Sequence, residues 1–173
     1  MSNGILQNIA RFFLLLLTQV LFLKRLSVGW EGYIYINVFI HPLFILLLPL
    51  RTPRVLVLLL AFAMGILVDL FYDTPGLNAA ACTFIGYARS AVLNLLEPRD
   101  GYNVNYSPTA YRMGNAWFLR YAAIMMGLCL LIYFSLDAFS PVFIGMIAIK
   151  TLFSFVFSMI FILMLVYVFN PKD

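Results

Sequence analysis

Long apolar runs separated by short polar breaks make up nearly the whole chain. A helix needs about 20 apolar residues to cross the hydrocarbon core of a bilayer. Six runs approach that length, at 8–26, 33–50, 54–72, 76–96, 115–136 and 142–169. The pattern predicts an all-α fold, a polytopic integral membrane bundle of about six transmembrane helices, with residues 1–173 forming a single transmembrane domain. The last run exceeds one untilted crossing, so its first turns are expected at the interface or at the start of a tilted helix.

The polar residues inside these runs fall at helical spacings. In the first run Asn8 and Gln19 lie close to a whole number of turns apart, and Gln19 is expected to hydrogen-bond another helix. In the second, Asn37 and His41 are placed on one face ahead of Pro42, which predicts a kink and a satisfied buried polar contact or, less simply, a proton relay. The third repeats Ala61, Gly65 and Asp69 in a stripe that admits a neighbouring backbone. Its Asp69 falls in the outer third, within reach of interfacial water. The break FYDTPGLN follows, in which Pro75 and Gly76 end the third helix, Asp73 or Thr74 is expected to cap the next, Pro75 to stand in its first turn, and Asn78 to add a polar group. The third and fourth runs thus predict a tight hairpin. Deeper in the fourth, Arg89 is expected either to snorkel or to pair with Glu97, its alternative being a role in gating or partner contact. In the last run Lys150, Ser154 and Ser158 form a stripe expected to turn inward.

Composition sharpens the class. Apolar residues make up 64% of the 173, and charged residues only 10%, against about a quarter in soluble domains. The net charge of +4 is then a matter of topology rather than of nucleic acid. With the amino terminus inside, Arg11, Arg51, Arg54, Arg99, Arg112, Arg120 and Lys172 gather on the inner side, leaving Lys24, Arg25 and at most Lys150 outside, so both termini are expected in the cytoplasm. The segment following Asn8 lacks a small-residue cleavage site and reads as a retained helix. Cys82 and Cys129 lie in different runs without CxxC spacing and read as buried thiols. The loop 97–115, with Tyr102, Tyr106, Tyr111, Arg99 and Arg112, has the composition of a partner contact or of a segment resting among headgroups.

The chain holds one histidine, and no nucleophile sits in a recognisable frame, so no enzyme, metal or cofactor is expected. The layout resembles the MreD family of bacterial rod shape-determining membrane proteins. The likeness rests on six apolar segments, GILVD at residues 65–69, the turn and helix start TPGLNAAA at 74–81, and IGYAR at 85–89. It implies a non-enzymatic scaffold of the cell-elongation complex in the bacterial inner membrane. Its partners would be an MreC-like protein and, through it, MreB, RodZ, RodA and a penicillin-binding transpeptidase of peptidoglycan biosynthesis. By position the likeness falls on Gly65, Asp69, Gly76 and Arg89; with Asp73 these are the candidates for partner binding or helix packing. The competing reading is a substrate-binding S component of an energy-coupling-factor vitamin transporter, with a pocket lined by Trp30, Asp69 and Asn78. Against it, residues 8–26 lack the small-residue motif that would dock such a component on its energising module.

Overall fold

The computed structural model describes residues 2–24, 37–99, 101–103, 106–139 and 144–169. Among these it is all-helical apart from connecting segments. Its helices are α1 (Ser2–Thr18), α2 (Leu43–Leu47), α3 (Arg54–Tyr72), α4 (Leu77–Leu95), α5 (Ala110–Met113), α6 (Asn115–Ala138) and α7 (Ile144–Phe169). A π turn at Gln19–Leu23 extends α1, closed by the Lys24 N–H on the Gln19 carbonyl.

Four helices are long and apolar enough to cross a membrane, over Leu6–Leu23, Arg54–Tyr72, Asn115–Ala138 and Ile144–Val168. The expectation of six spans is therefore met in part. The fourth expected run is a helix of 19 residues, α4, but Asn78, Thr83, Arg89, Ser90 and Asn94 dilute its apolar character. It sits where polar groups find protein partners, packed against α3, α6 and α2.

The second expected run, 33–50, is not one long helix. Its residues 33–36 and Trp30 lie outside the described residues. From Asn37 the chain runs irregularly to Ile40, turns, forms the five-residue α2, and straightens again at Leu48, with ψ of 140°. Proline explains both limits. Pro42 lacks the N–H that would continue a helix from Val38, and Pro49 drives the residue before it out of the helical region. Asn37 and His41 consequently do not share a helical face, and the expected kink is a break.

This segment is the centre of the molecule, since residues 38–48 are all buried. Around it close Leu15 and Leu16 of α1, Met64 of α3, Ile85 of α4, Phe118, Tyr121, Met125 and Leu130 of α6, and Ile162 of α7. Outside, the helices present Leu59, Phe62, Leu70, Tyr87, Leu152 and Met164, the apolar surface that a bilayer requires. The Cys82 and Cys129 thiols are free and buried, as expected. The 26-residue α7 is unbroken; at 1.5 Å per residue it measures about 39 Å, longer than the roughly 30 Å hydrocarbon core, which agrees with a tilted crossing.

Candidate functional site: two buried polar clusters

The first cluster fastens the hairpin of α3 and α4. Asp69, in the last turn of α3, is only 4% exposed. Its carboxylate accepts from the backbone N–H of Asn78 at 3.0 Å, from the Asn78 side-chain amide at 3.0 Å and from the Ala79 N–H at 2.8 Å. The Thr74 hydroxyl donates to it as well. These amides are among the four that a helix start leaves without a partner. Asp69 thus caps α4 from the preceding helix, a task the sequence assigned to Asp73 or Thr74, and it is shielded from interfacial water rather than reaching it.

The rest of the turn serves that geometry. Asp73 ends α3 in the left-handed conformation, with φ of 55°, and its side chain is 90% exposed, 3.7 Å from Lys24 Nζ. Gly76, with φ of 82°, is the residue before the first turn of α4, so Pro75 stands outside the helix. Gly65 lies where no side chain fits: a Cβ there would be 2.5 Å from Ala79 Cα. One turn deeper, a Cβ on Gly86 would come within 3.1 Å of the Ala61 methyl. The stripe of Ala61, Gly65 and Asp69 therefore meets α4, and the backbones approach as the small residues predict.

The second cluster holds the central segment. Irregular backbone at membrane depth is tolerated only where protein groups satisfy its amides and carbonyls. Gln19 is fully buried and does most of this: Oε1 accepts from Ile40 N–H at 2.8 Å and His41 N–H at 3.4 Å, while Nε2 donates to the Val38 carbonyl at 3.0 Å and to the Tyr72 hydroxyl at 2.7 Å. The Tyr72 hydroxyl returns a bond to the Gln19 carbonyl at 3.1 Å. From α7, Ser154 accepts from Asn37 N–H at 3.1 Å and Ser158 from Phe39 N–H at 2.9 Å. At the other end, Arg89 donates to the Leu48 carbonyl, and the Tyr121 hydroxyl to that of Leu46 at 3.4 Å.

Gln19 and the serine stripe thus turn inward as expected, but toward the irregular backbone of 37–41 rather than toward a long helix. Lys150 pairs with Asp137 at 3.6 Å. Arg89, only 5% exposed, neither snorkels nor pairs with Glu97; it holds Leu48. The signal for this lay in Pro49, which frees the Leu48 carbonyl from helical bonding. Tyr72 and Tyr121 were missed because an aromatic in an apolar run carries no mark of its hydroxyl's partner. Among the described residues both nitrogens of the buried His41 lack a hydrogen-bond partner, so the satisfied contact expected there is not found.

At the opposite end from Asp73, the loop after α4 is fastened inward. Tyr102 donates to the Leu93 carbonyl at 2.8 Å and Trp117 to that of Leu96 at 2.7 Å. The Arg112 guanidinium lies 4.3 Å from the ring centre of Tyr106, whose carbonyl accepts from Leu50 N–H at 3.1 Å.

Chemically, these clusters order backbone. Among the described residues no three of His, Cys, Asp and Glu come together as a metal site would need. Asp69 and Asn78 bond each other and are too enclosed to line an open vitamin pocket. No family model matches the chain, and neither a curated protein nor a solved structure does.

Proposed function

We propose that the chain is a non-enzymatic membrane scaffold of the MreD kind, working in the lateral-wall peptidoglycan machinery of a bacterial inner membrane. In this reading both termini are cytoplasmic. The scaffold holds an MreC-like protein and through it MreB, RodZ, RodA and a penicillin-binding transpeptidase. The observation that supports it is the use of the buried polar side chains. Asp69, Gln19, Ser154, Ser158 and Arg89 all bond the chain's own backbone. Along the membrane-crossing helices the exterior left for contact with another protein is largely apolar.

The hairpin of α3 and α4 is the proposed docking face, with Phe62, Leu70 and Tyr87 exposed along it. Asp69 contributes from within, by keeping the two helices in register. The test is co-expression of the tagged chain with the MreC-like protein of the same source, followed by solubilisation and affinity recovery. Wild-type chain is expected to recover the partner, and a Phe62→Ala, Tyr87→Ala double variant to recover clearly less while remaining folded. No recovery by wild type would sink the reading. Calorimetry against vitamins addresses the S-component alternative, for which a nanomolar ligand would be decisive.

A further inference from the structure

A cavity of about 230 Å³ opens at the basic end of the bundle, where α3 begins and α4 nears its end. Its polar wall comprises Thr52, Arg54, Arg89, Ser90, Asn94 and Tyr102. Among the described residues no carboxylate lines it, the nearest acting on its wall being Glu97 beside Tyr102, while two guanidinium groups do line it. Arg89 is more than nine-tenths buried, and its Nε has no hydrogen-bond partner among the described residues. A buried donor on a charged group left unbonded is costly. The start of α3 adds to the same field, since Pro53 supplies no side-chain cap and the first-turn amides carry the positive end of the helix dipole. Burial pushes the Tyr102 phenol up to about 12, so at neutral pH it brings no negative charge to the wall.

We propose that this cavity binds a phosphate group, held by Arg54 from the rim and by Arg89 from within. The size suits a small anionic head rather than a whole metabolite, being below the roughly 300 Å³ at which pockets for drug-sized ligands begin. Guanidinium forks match phosphate oxygens. The surroundings supply phosphate at this level, because at this end Tyr102 packs against Trp117 and Arg112 lies over the rings of Tyr106 and Tyr111, as side chains do among lipid headgroups. A phospholipid headgroup and free phosphate share this chemistry. The proposal does not depend on the scaffold reading.

The test is native mass spectrometry of the purified full chain in neutral detergent, after exposure to phosphatidylglycerol or to diacylglycerol, which has the same tails without the phosphate. Wild type is expected to retain phosphatidylglycerol preferentially. Arg54→Gln, at an exposed position, and Ser90→Leu, which fills the cavity, should each weaken that retention about ten-fold, the size of one charge-assisted hydrogen bond, and leave diacylglycerol unaffected. Circular dichroism checks that both variants are folded. Excess inorganic phosphate distinguishes the sources: phosphatidylglycerol that survives it marks a lipid site, and displacement marks a site for the ion itself. Equal retention of both lipids by wild type, or equal retention of phosphatidylglycerol by wild type and both folded variants, overturns the proposal.

Discussion

At the scale of single residues, position in the chain is a poor guide to what a polar group in this protein does. Asp69 and Asp73 are four residues apart on the same helix end, yet one is enclosed with four hydrogen bonds and the other is 90% exposed beside Lys24. An exposed pair of that kind contributes about 0–1 kcal/mol. Removing Asp69, by contrast, strands the Asn78 and Ala79 amides inside the hairpin. Asp69→Ala is therefore expected to destabilise the protein by roughly 2–4 kcal/mol, and Asp73→Ala by less than about 1 kcal/mol. Asp69→Asn should fall between them, since its amide oxygen still accepts but one carboxylate oxygen is replaced by a donor. Chemical unfolding in detergent, followed by circular dichroism, measures all three. Equal effects of the two alanine variants would mean that the cap from α3 contributes nothing.

At the scale of elements, the α3 and α4 hairpin is set by what its glycines exclude. The neighbours of a Gly65 Cβ would be backbone atoms of Asn78 and Ala79, which cannot rotate away. The neighbour at Gly86 is a methyl at 3.1 Å, which a small shift relieves. Gly65→Ala is thus expected to cost about 1–3 kcal/mol, as overpacking does, and Gly86→Ala clearly less, with thermal unfolding in detergent as the check. This hairpin was legible beforehand, because the four-residue repeat Ala61, Gly65, Asp69 and the turn at Pro75 and Gly76 are local signals. The cap was not, because a helix that receives its cap from the preceding helix shows no polar residue at its own first position. The segment 37–48 was legible only as apolar. Pro42 and Pro49 marked its breaks, but hydropathy cannot distinguish a membrane-facing helix from a buried, broken segment, and burial at 38–48 comes from neighbours far along the chain.

At the scale of the whole molecule, that central segment makes the bundle one unit. It is bonded by α1 through Gln19, by α7 through Ser154 and Ser158, by α4 through Arg89 and by α6 through Tyr121. Helices in lipid have no hydrophobic drive toward one another, so such bonds and close packing carry the assembly. Gln19 is the least replaceable of these groups, since both ends of one amide serve both a backbone carbonyl and a backbone N–H within three residues. Leucine there preserves volume but leaves the Val38 carbonyl and the Ile40 N–H unsatisfied in a buried place. Gln19→Leu should therefore cost about 2–4 kcal/mol, and Ser158→Ala, which removes one acceptor, about 1 kcal/mol. The effect should also be placed unevenly. Hydrogen exchange is expected to rise at the amides of 39–41 in Gln19→Leu, while those in the middle of α6 stay protected, because intrahelical bonds do not depend on the glutamine. Faster exchange throughout all the helices would show that the segment does not open by itself but unfolds only with the bundle, and unchanged exchange at 39–41 would mean that packing alone holds it.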